Sequence, residues 1–249
     1  MTWKNVPGQA QDIGIGANGT VWVVGTNPIR GGYGLWYWDG GRFVADPANG
    51  GGVRIAVAPD GHPWVVNDAH EIYERVNGVW TQRPGAGTDI AVGADGVVWK
   101  IGTTPTQNGY EIAKWTGSSW QAVDGGGVRI AVDPQGLPWV VNDVHDIYRR
   151  VAAQAGTPEH WQLETGPTGN TTTRATDIGI GGTTGEGMIW IIGAVPSGYG
   201  YGIYSWTGTG WAADPEQGTG VAISAGPDRE PWIVNNRTEI WEGIGVSSV

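Results

Sequence analysis

The chain of 249 residues carries a net charge of −10 with only 14 Lys plus Arg, which argues against binding nucleic acid or an anionic membrane through a basic patch. It has no Cys, so no disulfide supports the fold, and no apolar run is long enough for membrane insertion. The N-terminus lacks the charged and apolar regions of a signal peptide. We expect a soluble protein made in the cytoplasm; its final compartment stays open, with non-classical release as one route.

Six copies of one pattern follow each other along the chain. Each copy runs from an apolar segment through a Gly-centred turn, a strand with Trp, a loop and an aromatic strand to a final Trp or Phe. The second-strand tryptophans are spaced 42, 35, 40, 51 and 42 residues apart: Trp22, Trp64, Trp99, Trp139, Trp190 and Trp232. This period is typical of propeller blades. It predicts an all-β fold, a six-bladed β-propeller of four-stranded antiparallel blades.

The predicted blades cover residues 12–46, 53–84, 89–124, 128–165, 177–214 and 221–243. The last copy has no fourth-strand Trp, and the N-terminus supplies one. Trp3 stands ten residues before Ile13, just as Trp80 stands ten residues before Ile90. Residues 2–8 are therefore predicted to complete blade six and close the ring. We expect residues 1–249 to form one domain, as a monomeric ring, with a higher oligomer as the alternative.

Aromatic residues occupy the second-strand and fourth-strand positions of every copy. Eleven Trp and Phe43 fill these twelve positions, and we expect them to be wedged between neighbouring blades.

Two kinds of blade alternate. Odd blades have a long segment between the second and third strands, which predicts long loops, whereas even blades have a short one. One column of the repeat alternates Tyr with His and ends on Thr: Tyr33, His70, Tyr110, His145, Tyr201 and Thr238. Because equivalent positions of a propeller lie on one circle, we expect a ring of Tyr and His at the face that carries the loops.

A polar pair follows the second strand of each even blade. The pairs are Asn67-Asp68, Asn142-Asp143 and Asn235-Asn236. These side chains can cap a turn, or face outward to bind sugar hydroxyls, and both roles can hold at once.

A third ring alternates in charge at the start of the inner strands: Asp12, Arg54, Asp89, Arg129, Asp177 and then Ala222. Ion pairs between adjacent blades explain it most simply, and acid chemistry or a metal site is the alternative. The four His lack metal-ligand spacing, and no nucleophile elbow is present. We predict no catalysis, no metal and no cofactor.

The segments DIAVGADGVVW, PWVVN, EIYER and NGVW, with the leading TWKNVPG, resemble the tectonin repeat of tachylectin and fish-egg-lectin propellers, from Thr2 to about Gly243. The resemblance implies carbohydrate binding at several sites near blade interfaces, on microbial or foreign surfaces, without catalysis. Some fungal members prefer O-methylated sugars. Two departures matter: the alternation suggests three sites of one kind, or three plus three, and Ala113 stands where other copies have Trp or Tyr.

We therefore predict a multivalent lectin that binds glycans or glycoconjugates on cell surfaces. The alternatives are a protein-interaction scaffold and a hydrolase or lyase that uses channel residues such as Asp89. The predicted carbohydrate-binding residues are Tyr33, Asn67, Asp68, His70, Tyr110, Asn142, Asp143, His145, Tyr201, Asn235 and Asn236.

Overall fold

The computed structural model describes residues 1–164 and 174–245, and this part of the chain consists of strands, turns and bends without a helix. Residue 165, the predicted end of blade four, lies outside it. Most strands are short, which fits the Gly-rich and Pro-rich turns of the sequence.

The first half of the chain supplies the N-terminal strand and the strands of the first three blades. They are β1 (Thr2–Gln9), β2 (Asp12–Ile15), β3 (Val21–Ile29), β4 (Gly32–Trp38), β5 (Phe43–Ala45), β6 (Gly51–Gly52), β7 (Arg54–Val57), β8 (Pro63–Val66), β9 (Glu71–Val76), β10 (Val79–Ala86), β11 (Asp89–Val92), β12 (Val98–Thr106), β13 (Gly109–Trp115) and β14 (Trp120–Gly127).

The second half supplies the strands of the last three blades. They are β15 (Arg129–Val132), β16 (Pro138–Val141), β17 (Ile147–Val151), β18 (His160–Glu164), β19 (Ala175–Gly181), β20 (Met188–Ser197), β21 (Gly200–Trp206), β22 (Trp211–Ala213), β23 (Thr219–Gly220), β24 (Ala222–Ala225), β25 (Pro231–Val234) and β26 (Glu239–Ile244).

These strands form six antiparallel sheets, one for each predicted blade, which confirms the six-bladed propeller. In chain order the blades contain β2–β6, β7–β10, β11–β14, β15–β18, β19–β23, and β24–β26 with β1. Four strands pair in sequence within each blade. In blades one and five a further strand of two residues adds to the third strand, β6 to β4 and β23 to β21.

The N-terminal strand closes the ring as predicted. β1 pairs with β26, so that Trp3 lies opposite Gly243 and Val6 lies opposite Ile240. Val6 is buried and packs in the hydrophobic cluster between blades six and one. The two ends of the chain therefore share one blade, and β1 pairs with the edge of β26 that would otherwise be open.

The predicted long loops of the odd blades are wrong, because these segments are extended hairpins. In blade one β3 runs to Ile29 and β4 begins at Gly32, which leaves a two-residue turn. A bulge between Val24 and Pro28 shifts the register, and Pro28 pairs opposite Tyr33. A Pro fits here because the bulge interrupts the regular hydrogen-bond ladder. Blades three and five repeat the arrangement.

Each pair of adjacent blades encloses its own hydrophobic cluster, and six clusters follow each other around the ring. All six second-strand tryptophans are at most 7% exposed, which confirms their predicted burial. In the fourth strands only Trp211 reaches this burial, and the other aromatic residues are half-buried. They lie at the outer rim, where clefts open between blades.

Candidate functional site

A cleft of about 460 Å³ opens between blades one and two. Blade one contributes the tip of its β3–β4 hairpin and the loop after β5, and blade two contributes its β8–β9 turn and its outer strands. We call it cleft 1/2, and its lining residues are Arg30, Gly31, Ala48, Asn49, Gly50, Gly51, Val65, Asn67, Asp68, Ala69, Glu71, Tyr73 and Trp80.

Asn67 builds the β8–β9 turn that forms one wall of the cleft. Its Oδ1 accepts hydrogen bonds from the backbone N–H of Ala69 at 3.0 Å and of Glu71 at 2.8 Å. Its Nδ2 donates to Glu71 Oε2 at 2.8 Å. Asn142 and Asn235 make the same two backbone bonds in blades four and six. These buried amides therefore cap turns, one of the two roles the sequence indicated.

Glu71 is the centre of a hydrogen-bond network in the cleft. Besides Asn67, its carboxylate accepts from Tyr73 Oη at 3.1 Å and from Gln82 Nε2 at 3.2 Å. The hydrogen bonds from Asn67 and Tyr73 lower the pKa of Glu71. Burial and the hydrogen bond to Glu71 raise the pKa of Tyr73. At neutral pH the cleft thus presents an ionised acceptor beside a protonated phenol.

Trp80 is held in a fixed orientation by Asp46 of the neighbouring blade. Trp80 Nε1 donates to Asp46 Oδ2 at 2.6 Å, and Arg75 Nη2 pairs with Asp46 Oδ1 at 2.9 Å. The indole lies so close to Gly50 that a Cβ there would collide with it. The glycine run after β5 therefore lets the indole pack against the backbone.

The same construction recurs between blades three and four and between blades five and six. In each case the hairpin tip of the odd blade accepts a backbone hydrogen bond from the second residue of the polar pair. The three bonds are Asp68 N to Gly31 O at 3.2 Å, Asp143 N to Asn108 O at 3.4 Å and Asn236 N to Tyr199 O at 2.8 Å.

The fourth-strand Trp of each even blade is also tied to the preceding blade in all three places. Trp3 Nε1 donates to Asp214 Oδ2 at 2.6 Å, and Trp161 Nε1 donates to the carbonyl of Asp124 at 2.8 Å. We call the equivalent places cleft 3/4 and cleft 5/6. The repeat aligns Tyr148 and Trp241 with Tyr73 of cleft 1/2.

The structure brings only part of the predicted site together. Asn67 and Asp68 line cleft 1/2. In the described part of the chain the exposed carboxylate of Asp68 makes no hydrogen bond or ion pair, and the side chains of Asp143 and Asn236 make none either.

The predicted tyrosines and histidines lie elsewhere. Tyr33 and Tyr201 pack against the hydrophobic clusters of their blade interfaces, and Tyr110 is 37% exposed. His70 and His145 contact the start of the next blade, with Nδ1 within 3.2 Å of Gly87 O and 3.0 Å of Ala175 O. Their positive φ angles of 63° and 71° mark them as turn residues. Their role in sugar binding stays a prediction.

Sequence reasoning missed the floor of the cleft: Glu71, Tyr73 and Trp80. The signal for Tyr73 was present, because Tyr73, Tyr148 and Trp241 form one aromatic column of the even blades. Glu71 precedes Tyr73 by two residues on a strand and therefore shares its face.

The central channel contains the alternating Asp and Arg ring. Arg54 Nη1 lies 3.5 Å from Asp12 Oδ1, and Arg129 Nε lies 3.6 Å from Asp177 Oδ1. Each Asp also accepts a backbone hydrogen bond from the next even blade, as Asp177 Oδ2 does from Ile223 N at 2.9 Å. These contacts give the ring the structural role that the sequence favoured.

The missing sixth member of the ring leaves an imbalance of charge. Three buried carboxylates face two guanidinium groups, because Ala222 stands where blades two and four have Arg. Burial, only partly offset by Arg129 and Arg54, raises the pKa of Asp177 to about 7. Within residues 1–164 and 174–245, no three His, Cys, Asp or Glu side chains are grouped to hold a metal ion.

The fold and these contacts define a class: a six-bladed propeller in which one arrangement of turn, indole and exposed polar side chain recurs at every second blade interface. The Tectonin domain family matches residues 47–191, more than half of the chain. The chain belongs to the tectonin family. No curated protein matches it in sequence.

Solved propellers share its fold at low identity. YCF48 bound to a D1 peptide has a TM-score of 0.59 and 13% identity over 98% of this chain and 95% of that one. A calcium-binding regucalcin of Agrobacterium tumefaciens has a TM-score of 0.60 and 17% identity over 95% and 90%. A streptogramin B lyase has a TM-score of 0.56 and 15% identity over 97% and 96%. At these identities the likeness concerns the fold alone.

In the described residues there is no helix with the length and apolar character needed to cross a membrane.

Proposed function

We propose that this protein is a multivalent carbohydrate-binding protein, and that clefts 1/2, 3/4 and 5/6 each bind one sugar of a surface glycan. The observation that carries the proposal is the threefold recurrence of one arrangement: an indole fixed by the preceding blade, a second aromatic ring and an exposed polar side chain. A pyranose offers an apolar C–H face to such rings and a rim of hydroxyls to such polar groups.

The contacts of cleft 1/2 assign roles to its residues. Trp80 and Tyr73 supply ring faces, and the Asp68 carboxylate accepts hydrogen bonds from sugar hydroxyls. Ala48 adds apolar surface that suits an O-methyl group, so O-methylated sugars belong among the first ligands to test. The proposed role is binding without catalysis: the hydrogen bonds from Asn67 and Tyr73 lower the pKa of Glu71, so its carboxylate stays ionised at neutral pH and acts as an acceptor rather than as a general acid.

Multivalency explains why a shallow site is repeated. One such site gives millimolar affinity, about −4 kcal/mol, whereas several on a rigid ring gain roughly 100-fold to 10,000-fold on a dense glycan surface. The proposed ligands are glycans or glycoconjugates on cell surfaces, where many copies of one sugar lie close together.

The experiment is binding to an array of neutral and O-methylated glycans by the wild type and by the triple variant D68A/D143A/N236A. We expect the wild type to bind and the triple variant to lose about 100-fold in apparent affinity. The control is D60A, because Asp60 is an exposed carboxylate in the β7–β8 turn, at the opposite end of β8 from the cleft.

Absence of wild-type binding to every glycan would refute the proposal. Capture of a defined protein partner that free sugar does not displace would support the scaffold alternative instead.

A further inference from the structure

A cleft of a second kind opens between blades six and one, with a volume of about 520 Å³. One wall is the N-terminal strand β1 and the other is blade one. We call it cleft 6/1 and define it by Pro7, Gln9, Asn27, Trp36, Arg42 and Phe43. It shares no lining residue with cleft 1/2.

Trp36 is positioned to offer the face of its ring. Its Nε1 donates to Asn27 Oδ1 at 3.1 Å, so the indole N–H is already used. A Cβ at Gly25 would lie 2.7 Å from Trp36 Nε1, and one at Gly34 would lie 2.6 Å from Asn27 Nδ2. The two glycines therefore let both side chains pack closely on the backbone, and the Asn27 amide keeps its N–H donors for another group.

The carbonyl of Pro7 receives no hydrogen bond from Phe43, whereas the equivalent carbonyl, that of Pro84, receives one from a Trp. In blade three the equivalent residue is Trp120, whose Nε1 donates to Pro84 O at 2.7 Å. Phe43 packs beside Gly8 as Trp120 packs beside Gly85, but its ring has no N–H. It cannot make the equivalent bond to Pro7, whose carbonyl is an acceptor in the wall of cleft 6/1.

The place equivalent to cleft 6/1 between blades two and three is filled by other side chains. Ala113 replaces the aromatic residue, and Lys100 replaces Val23. Lys100 is only 4% exposed; its Nζ donates to Ala86 O at 2.6 Å and lies 5.1 Å from the centre of the Trp120 ring. Ala113 supplies no ring here and Lys100 lies over the Trp120 ring, so this interface has no counterpart of the Trp36 face.

The counterpart between blades four and five keeps an aromatic ring but loses the amide. Tyr204 stands in the place of Trp36, and an exposed Val195 stands in the place of Asn27. The combination of indole face and amide is therefore particular to cleft 6/1 among these three interfaces.

The charge of cleft 6/1 also differs from that of cleft 1/2. Among the described residues that line it there is one Arg and no Asp or Glu, whereas Asp68 and Glu71 line cleft 1/2. Arg42 itself pairs with Asp39 at 3.5 Å. A cationic ligand would find no carboxylate among these lining residues. A neutral ligand would not be placed against an unpaired charge, because Arg42 is paired with Asp39.

We infer that cleft 6/1 is a further carbohydrate-binding site, present once per chain, that holds a neutral pyranose on the face of Trp36. The Asn27 amide donates to one hydroxyl, the Pro7 carbonyl accepts from another, and Phe43 covers the apolar edge. The inference extends the proposed function to a second kind of site, with a different donor set.

The hydrogen bond of the Trp36 indole favours a sugar over a proline-rich peptide as the ligand of cleft 6/1. Grooves that bind such peptides are lined by aromatic side chains, and the peptide carbonyls, which make no internal hydrogen bonds, need donors beside those rings. In cleft 6/1 that N–H is occupied by Asn27, and only the ring face remains. This favours the C–H face of a sugar.

The test is calorimetric titration with methyl α-mannopyranoside, methyl β-galactopyranoside, methyl β-glucopyranoside and N-acetylglucosamine. The proteins are the wild type, W36A, N27V, the triple variant D68A/D143A/N236A, and the triple variant combined with W36A. We expect the triple variant to keep one site per chain for one of these sugars, and W36A in that background to weaken it by about tenfold or more. N27V guards against misfolding of W36A, because Val already occupies this position in blade five.

The outcomes separate the two proposals. A triple variant with no remaining site would overturn the inference while leaving the three repeated clefts as the lectin sites. One remaining site that ignores both W36A and N27V would overturn it as well, because the sugar would lie elsewhere. Loss of binding in N27V and W36A together with an unaffected triple variant would keep cleft 6/1 and refute the proposed function of the repeated clefts. Binding of a proline-rich peptide in place of every sugar would refute the ligand class.

Discussion

The interfaces that run from an odd blade to the next even blade differ from those that run from an even blade to the next odd one. At the even-to-odd interfaces indole meets indole. Trp64 packs on Trp115 with ring centres 5.9 Å apart, and Trp139 packs on Trp206 at 5.8 Å. Trp232 and Trp38 repeat this at 6.2 Å across the ring closure. These contacts are edge-on, which is a favourable aromatic geometry.

At the odd-to-even interfaces polar groups take this place. Asp46 accepts from Trp80 and pairs with Arg75, and Arg75 lies 5.4 Å from the centre of the Trp22 ring. The interface between blades five and six has the same Trp-to-Asp bond.

The difference shows how one repeat can serve two purposes. Apolar rings interlock and exclude solvent, whereas hydrogen-bonded groups need a fixed geometry and leave a groove beside them. The sequence presents blades one and two as a unit, but the tryptophan contacts join blade two to blade three. The repeated grooves then fall within the sequence unit, between the blades that the polar contacts connect. Cleft 6/1 is the exception, because it opens at an interface that also has an indole pair, Trp38 with Trp232.

The largest effect that would test this contrast is expected from Trp139→Ala in blade four. Trp139 is 1% exposed and contacts two other indoles, so its loss leaves a cavity and should reduce the free energy of unfolding by about 3–5 kcal/mol. Trp161→Ala in the same blade removes a half-buried ring at cleft 3/4 and should cost only about 1–2 kcal/mol. Urea unfolding measures both, and equal losses would contradict the division of roles.

Asp46→Ala should come next, with a loss of about 2–4 kcal/mol in the free energy of unfolding. The change leaves the Arg75 guanidinium and the Trp80 indole without their shared acceptor in a largely buried place. Asp46→Asn keeps an acceptor for one of the two donors and should lose less. Sugar binding should weaken at cleft 1/2 and persist at the other clefts, and unchanged calorimetric stoichiometry with unchanged affinity would speak against the role of Asp46.

The channel predicts a dependence of stability on pH. The folded pKa of Asp177, about 7, lies above its unfolded value of 3.8, so the folded state binds the proton more tightly. This contribution is fully present below about pH 4 and is lost as the pH rises toward 7, by about 2 kcal/mol between pH 5 and pH 7.

Two matched variants test whether Asp177 causes this dependence of stability on pH. Asp177→Asn keeps the acceptor for Ile223 N and should flatten the profile. Ala222→Arg completes the alternation and should flatten it by lowering the pKa of Asp177. Urea unfolding at pH 5, 6, 7 and 8 gives the slopes, and a wild-type slope that Asp177→Asn leaves intact would assign it to other groups.

Gly50→Ala should have the smallest effect, about 1 kcal/mol, because its Cβ would press on the Trp80 ring that Asp46 holds. Gly41→Ala is the control, since its Cβ would meet only Asp39 Oδ1 at 3.7 Å. Thermal unfolding compares the two, and sugar affinity at cleft 1/2 should fall for Gly50→Ala alone. A neutral Gly50→Ala would mean that the indole is free to move.

Much of the architecture could be predicted because it repeats. The second-strand Trp marks each blade, and the matching offsets of Trp3 and Trp80 reveal the shared sixth blade. The channel pairs were also legible, because equivalent inner-strand positions such as Asp12 and Arg54 must face each other around the axis.

The candidate site was harder to predict from the sequence than the fold, for physical reasons. Cleft 1/2 combines Arg30 and Gly50 of one blade with Tyr73 of the next, and a column of the repeat shows only one blade at a time. Tyr33 shares a circle with its equivalents, but it pairs with Pro28 beyond a bulge and is not among the residues that line cleft 1/2. The long segments of the odd blades contain Gly and Pro, and these residues concealed strand pairing that continues to Ile29.

A crystal structure with a sugar selected on the glycan array tests the central claim most directly. The account predicts one sugar ring in each of clefts 1/2, 3/4 and 5/6, stacked against Trp80, Trp161 and Trp3 and hydrogen-bonded to Asp68, Asp143 and Asn236. Sugar bound instead at the ring of Tyr33, Tyr110 and Tyr201, or in the central channel, would contradict it.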